Sequence, residues 1–133
     1  MRYATALIIG TAMWGCTASP TSLQAGSLAT GRWSGGTGQC LSVTETSCDF
    51  VAGCGHGQFP RPIVNADGTF DVDGTYRIEA GPISLNPAPP AHFSGSVDGS
   101  HLILTVKPTD PSQSTASYSL ILSGTGTCAV PCV

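Results

Sequence analysis

The chain has 133 residues, of which 10% are charged, and its formal net charge at pH 7 is -3. With only 5 Lys and Arg residues it lacks the basic patch that nucleic-acid binding requires, and its acidity gives no attraction to an anionic membrane surface. The length allows one modest domain with a single core.

The N-terminus has the layout of a secretory signal peptide. Arg2 supplies a positive charge, and an almost wholly apolar or small run over residues 4–14 follows it. This run is shorter than the roughly 20 residues that a membrane-spanning helix needs. Because it ends at Gly15 and Cys16, residues 1–15 are predicted to be a signal peptide.

Residues 13–16 resemble the lipobox of bacterial lipoproteins, in which a small residue precedes a cysteine that becomes acylated. The resemblance implies that Cys16 carries lipid and that the protein contacts a membrane through this lipid alone. Thr17, in place of aspartate, implies an outer-membrane address within the cell envelope if the organism has an outer membrane. The alternative is cleavage by the ordinary signal peptidase, which would give a secreted or periplasmic protein.

Residues 16–30 are predicted to be a flexible tether, and residues 31–133 one folded domain. The tether is rich in Ser, Thr, Ala and Gly and has no apolar periodicity. In the domain, short runs of alternating apolar and polar residues are separated by turn signals, while no segment carries sustained helical periodicity. The pattern predicts an all-β fold, a small antiparallel meander barrel or sandwich of about seven or eight strands.

The clearest strand is predicted over residues 69–79. Phe70, Val72, Tyr76 and Ile78 alternate there with polar residues, so a strand would place these four side chains on one buried face. Gly74 falls in the same apolar phase, which indicates a bend or a close backbone approach.

Turn residues define the neighbouring strands. Leu41 and Val43 lead through residues 45–47 into a strand that contains Phe50. Further along, Asp98-Gly99 is a preferred tight-turn pair and predicts a hairpin between residues 91–97 and 101–107. After the loop over residues 108–114, alternate apolar residues at 118, 120 and 122 indicate a last strand.

Removal of Cys16 leaves five cysteines, and an exported chain meets an oxidising compartment. Two disulfides and one free thiol are therefore expected. Cys54 is in phase with Phe50, and Cys128 is in phase with Leu120 if the last strand continues. Both would point inward, which makes Cys54 with Cys128 the preferred disulfide.

Other pairings stay open. Cys40 lies out of phase with its apolar neighbours and is predicted to point outward, whereas Cys48 is in phase with Phe50, so a Cys40–Cys48 bridge is less attractive. Cys128 with Cys132 would close a very short loop, which constrains the unfolded chain least.

The domain resembles a family of small, uncharacterised bacterial domains. The motifs that carry the resemblance are a Gly-x-Trp-x-Gly opening over residues 31–35, a Cys-x-His-Gly element over 54–57 and a Gly-x-Phe-Asp-Val-x-Gly-Thr-Tyr strand over 68–76. The resemblance covers nearly all of the chain after the tether. It implies a lipocalin-like architecture and no established activity.

Several residues could carry chemistry. Cys54 and His56, with His92 or His101, are of the types that bind zinc, and His56 could activate a cysteine nucleophile. A disulfide is the stronger interpretation of Cys54, because a lone Cys-x-His lacks paired ligand spacing.

The acidic residues Asp67, Asp71 and Asp73 suggest calcium, but the last two lie on the outward face of a strand and lack EF-hand spacing. No metal, cofactor or catalytic residue is therefore predicted. Trp33 either lines a ligand cavity or plugs the end of the barrel, and the plug is favoured.

Three functions are compatible with this sequence. The preferred one is a monomeric binding module of the envelope for a small apolar ligand or a protein partner. The first alternative is an inhibitor or protective interaction protein, with the loop over residues 82–90 as its contact. An enzyme that uses His56 is the second alternative, and it requires His56, His92 or an aspartate to meet in a cleft.

Overall fold

The computed structural model describes residues 26–78 and 88–129, and these form ten β-strands and no helix. The strands are β1 (Gly26–Ser27), β2 (Gly31–Ser34), β3 (Gln39–Val43), β4 (Ser47–Ala52), β5 (Gly55–Pro60), β6 (Ile63–Val64), β7 (Thr69–Ile78), β8 (Pro90–Asp98), β9 (His101–Pro108) and β10 (Ala116–Gly124).

Eight of the strands close into an antiparallel barrel in the order β10-β2-β3-β4-β5-β7-β8-β9. The two remaining strands, β1 and β6, pair with each other. The prediction of a small all-β barrel of seven or eight strands is confirmed. So is the predicted hairpin, because Asp98 pairs with His101 across a turn in which Gly99 has a φ of 58°.

The interior of the barrel is filled by side chains at alternate positions of the strands. Glycines on the inward phase make room for aromatic rings. A Cβ atom on Gly74 would overlap the backbone carbonyl oxygen of Gln58, as the predicted close backbone approach requires, and would lie 3.0 Å from the ring of Phe93. The rings of Phe59 and Phe93 stack with their centroids 4.3 Å apart. The largest fully buried side chains are Trp33, Phe50, Phe93, Leu28, Leu41, Leu102, Leu104, Leu120, Val106 and Cys48.

The folded unit begins earlier in the chain than predicted. Leu28 is only 1% exposed, and its carbonyl oxygen accepts a 2.7 Å hydrogen bond from Nε of Arg61. The indole N–H of Trp33 donates to the carbonyl oxygen of Ala29 at 3.2 Å. Residues 26–30 were predicted to belong to the flexible tether, but they pack against the barrel because Leu28 completes its core.

The disulfide pairing also differs from the prediction. Cys128 bonds to Cys40, not to Cys54. The prediction from alternation was wrong at both cysteines, because neither lies within a strand. Cys54 is in the β4–β5 turn after Gly53, whose φ is 57°. Cys128 follows the end of β10, and that strand carries a register shift after Leu122.

The other cysteines complete this arrangement. Cys54 is also disulfide-bonded, with a partner outside the described residues. Cys48 is a free thiol and points into the core, as its phase predicts.

Several predictions concern residues outside the described ranges. The signal peptide and Cys16, most of the loop over 82–90, and Cys132 belong to this group. In the described part of the chain, no helix has the length and apolar character that crossing a membrane requires.

Candidate functional site

Cavities among the described residues open to solvent, and three of them are described below. The one richest in hydrogen-bonding side chains is a groove of about 430 Å³ on the outer face of β7, β8 and β9. We call it the β7–β9 groove. It is lined by Asn65, Thr69, Phe70, Asp71, Ser94, Gly95, Ser96, Ile103 and Thr105.

One row of outward side chains crosses the groove at Ser94. Ser94 lies opposite Asp71 on β7 and opposite Thr105 on β9. Thr105 in turn lies opposite Ser117 on β10, and their hydroxyl oxygens are 2.8 Å apart. Side chains alternate between the two faces of a strand, so the buried Phe93 fixes Ser94 on the solvent side.

A second row crosses the groove at Ser96. Ser96 lies opposite Thr69 on β7 and opposite Ile103 on β9. The Thr69 hydroxyl donates a 2.6 Å hydrogen bond to Asp67. Ile103 is 47% exposed and is the apolar contact of the groove.

The hydroxyl groups of Ser94 and Ser96 make no hydrogen bond within the described part of the chain. Their neighbours Thr105 and Thr69 already have partners. A hydroxyl can both donate and accept, so the middle of the groove offers unused capacity of both kinds to a ligand.

His92 lies two residues before Ser94 on β8, in the row next to the first one, and between two carboxylates. Its Nδ1 is 2.8 Å from Oδ1 of Asp73, and its Nε2 contacts Asp71. The hydrogen bond with Asp73, together with the negative charge of both carboxylates, raises the pKa of His92 above its ordinary value. Lys107 lies opposite His92 on β9. Two anionic and two cationic groups therefore meet here when His92 is protonated.

A second cavity, of about 460 Å³, lies beside β4 and β5. Three of its polar side chains are already engaged: Nε2 of Gln58 donates a 3.0 Å hydrogen bond to Asp49, and the Ser47 hydroxyl lies 3.2 Å from that of Thr44. This cavity offers less free hydrogen-bonding capacity than the β7–β9 groove.

The third cavity contains His56 and has a volume of about 210 Å³. Nε2 of His56 lies 3.4 Å from Asp49, and the His56 side chain is 12% exposed. Ser42 and Asp49 line the same cavity as His56. The remaining lining comes from Val51, Thr127 and Cys128.

The histidines predicted to carry chemistry lie in separate places on the barrel. His56 contacts Asp49 on the β4–β5 side, whereas His92 contacts Asp71 and Asp73 on the β7–β8 side. His101 is exposed on β9, opposite Asp98. Among residues 26–78 and 88–129, no group of three or more His, Cys, Asp or Glu side chains is arranged to hold a metal ion.

Two further candidates have structural roles. Cys54 is in a disulfide, so its thiol is not available as a zinc ligand or a nucleophile. Trp33 is completely buried in the core and lines none of the three cavities.

Sequence reasoning missed Ser94 and Ser96. Their alternation with Phe93 and Val97 predicts that they face solvent, but every outward strand position has the same pattern. The groove depends on which residues of β7 and β9 lie opposite them, and this register is not encoded in β8 alone.

Comparison of the chain with protein-family models, with curated proteins and with solved structures gives no match.

Proposed function

We propose that the protein is a lipid-anchored binding module of the cell envelope that holds its partner in the β7–β9 groove, on the outside of a filled barrel. One observation carries the proposal: the free hydrogen-bonding groups lie on the outer surface, while the interior is occupied by the protein's own side chains. The proposal is one of binding, because the groove presents hydroxyl, amide and carboxylate side chains on an open surface.

The packing favours an external partner over a small apolar ligand held inside. The interior would have to lose aromatic rings to admit such a ligand, because those rings already fill the space that Gly74 and Gly95 leave. Phe93 is 0% exposed and Phe70 is 2% exposed. Ligand sites in proteins are normally preformed concavities, and here the concavity is the groove.

The lipid anchor is the second part of the proposal. It rests on Gly15 and Cys16 at the end of the apolar run and on the match to the lipobox pattern. An anchored module on a tether would hold the groove close to other envelope components and raise its effective concentration for them.

Two exposed apolar residues lie beside the groove. Ile103 is 47% exposed and Ile121 is 50% exposed, both on the outer face of β9 and β10. They lie close on the sheet, because Ile121 is opposite His101 and Ile103 is opposite Ser119. This small patch would add apolar contact to a partner held in the groove.

Site-specific photocrosslinking in intact envelopes tests the proposal. A benzoylphenylalanine at position 96 would lie in the groove, and the same residue at position 114, in the exposed β9–β10 loop, is the matched control. We expect a discrete adduct from position 96 that excess unlabelled protein suppresses, and none from position 114. Equal labelling from both positions, or no adduct from either, would contradict a groove-specific partner.

A further inference from the structure

We infer that the β7–β9 groove binds a neutral glycan chain. The inference rests on the proposed function and specifies the chemical class of the partner. Three properties of the groove lead to it: its hydrogen-bonding groups, its charge balance and its small apolar contact.

The hydrogen-bonding groups match those of a sugar. Ser94 and Ser96 offer hydroxyls that both donate and accept, as sugar hydroxyls do. The carboxylate of Asp71 accepts only, and its side chain is 67% exposed. The amide of Asn65 supplies both a donor and an acceptor at the other side of the groove. Asp71 already contacts His92, and the Asn65 amide donates to Thr69 at 3.5 Å, but the hydroxyls of Ser94 and Ser96 have no partner among the described residues. A polyhydroxylated ligand can pair with these two hydroxyls and with the remaining acceptors of Asp71 and Asn65, whereas an apolar ligand would cover the two hydroxyls and leave them unpaired at a cost.

The charges around the groove favour a partner without net charge. Asp71 and Asp73 would repel a polyanion, and His92 and Lys107 beside them would repel a polycation. Phosphate-rich and strongly basic partners both meet like charges at this end of the groove.

The apolar contact is too small for the centre of a typical protein interface. Protein interfaces are usually organised around buried aromatic or arginine anchors and the pockets that receive them. In the groove the only large aromatic lining residue is Phe70, which is 2% exposed and belongs to the core. Ile103 provides a single apolar surface, suited to the C–H face of one sugar ring.

The shape of the groove fits a stretch of chain. It is open to solvent, and its two rows of polar side chains cross three adjacent strands, about 5 Å apart from one strand to the next. An open groove with repeated polar rows can contact successive sugar units without enclosing a chain end.

An NMR titration tests the inference with the full mature chain carrying Cys16→Ser, so that it is soluble without lipid. The probes are two neutral oligosaccharides, a β-1,4-linked N-acetylglucosamine tetramer and maltotetraose, and, by co-sedimentation, purified peptidoglycan sacculi, whose glycan strands carry charged peptides. We expect saturable shifts of the amides around Ser94, Ser96 and Thr105 with at least one oligosaccharide. Retention on the sacculi without a shift from either oligosaccharide would contradict a neutral ligand.

Two variants distinguish glycan binding in the groove from binding elsewhere on the sheet. Ser94→Ala with Ser96→Ala removes both free hydroxyls, and we expect binding to weaken roughly tenfold, as the loss of two ordinary hydrogen bonds implies. Ser119→Ala changes an exposed serine of β10 that does not line the groove, and binding should stay within about twofold of the parent. The amide spectra of both variants also report whether the fold is intact.

The outcomes distinguish the inference from the proposed function. If none of the three probes binds while position 96 still crosslinks to an envelope protein, the glycan is wrong and the binding module stands. If neither glycan binding nor crosslinking is found, both fail. Binding that survives the double serine variant would overturn the groove as the glycan site.

Discussion

Cys40 and Cys128 form a disulfide, with their Cα atoms 5.7 Å apart, and it fixes the segment after β10 on the outer face of β3. Beneath this segment, Val51 and Ser42 point outward and yet are only 5% and 6% exposed. The disulfide therefore holds the segment after β10 over Val51 and Ser42, so that this segment shields one side of the barrel from solvent.

Loss of this disulfide should destabilise the protein strongly. The bond links positions 88 residues apart, and closing so long a loop removes much of the entropy of the unfolded chain. Replacing both Cys40 and Cys128 by serine is expected to lower the free energy of unfolding by about 2–5 kcal/mol. Urea denaturation measures this change. Amide hydrogen exchange should also become faster around Val51. An unchanged urea midpoint would contradict a stabilising role of the disulfide.

The close packing of the Phe70 ring on Gly95 is the basis of a second prediction. A Cβ atom there would overlap the ring of Phe70, so Gly95→Ala should cost about 1–3 kcal/mol through overpacking. Gly36→Ala is the matched control, because its nearest neighbour would be 3.9 Å away, and it should change stability by less than about 0.5 kcal/mol.

Coupling between substitutions at Gly95 and Phe70 tests whether overlap with the Phe70 ring causes the loss of stability. If Phe70 is the obstacle, Phe70→Leu should be less destabilising in the Gly95→Ala background than in the parent protein. Strictly additive effects in thermal or urea unfolding would point to another origin.

The sequence was sufficient to predict the barrel but not the pairing of its cysteines. Alternation identified the buried face of β7 at Phe70 and Tyr76, and Asp98-Gly99 identified a hairpin, because both signals are local. The prediction was wrong for Ile78, which ends β7 and is 45% exposed. The pairing of Cys128 could not be derived in this way. A phase count is valid only within one uninterrupted strand, and β10 ends before Cys128 is reached.

The candidate site was less predictable for a similar reason. The outward direction of Ser94 and Ser96 follows from alternation, but their grouping with Asp71 and Ile103 requires the register of three strands. His92 was predicted as a possible ligand and instead bridges two carboxylates, a contact set by its position opposite Asp73.

The His92 bridge should make stability depend on pH. The hydrogen bond with Asp73 and the negative charge of both carboxylates raise the pKa of His92 in the folded protein. Its contribution is therefore present below the unfolded value of about 6.5 and is lost as the pH rises through the folded pKa. His92→Asn should be less stable than the parent at about pH 5.5 and equal to it at about pH 9.

The size of the effect is limited by exposure. The His92 side chain is 40% exposed, so we expect at most about 1 kcal/mol. Urea unfolding at the two pH values measures the difference, with His101→Asn as the control on the neighbouring strand. A deficit of equal size at both pH values would show that His92 acts through packing and not through its charge.

The free thiol of Cys48 should be inert in the folded protein. Burial in the core raises its pKa to about 12, so almost none of it is thiolate at neutral pH. Iodoacetamide is expected to modify Cys48 only after denaturation, as followed by mass spectrometry. Rapid labelling of the native protein would mean that the barrel opens readily at β4.

The partner of Cys54 connects the disulfides to the proposed lipid anchor. Cys54 is disulfide-bonded, and within the described ranges Cys40 and Cys128 are paired and Cys48 is free. The two remaining cysteines of the chain are Cys16 and Cys132. A lipidated Cys16 has no thiol to offer, so the anchor predicts that Cys54 bonds to Cys132.

Non-reducing peptide mapping of the protein purified from membranes distinguishes the two partners. We expect a peptide that joins Cys54 to Cys132, together with fatty-acid labelling that Cys16→Ser abolishes. Cys16→Ser should leave the mapped disulfides unchanged, because the lipid site takes part in neither bond. A peptide that joins Cys54 to Cys16 would refute the anchor directly, since a cysteine thioether cannot also form a disulfide. In that case the protein would be held in the envelope only by the partner in its groove.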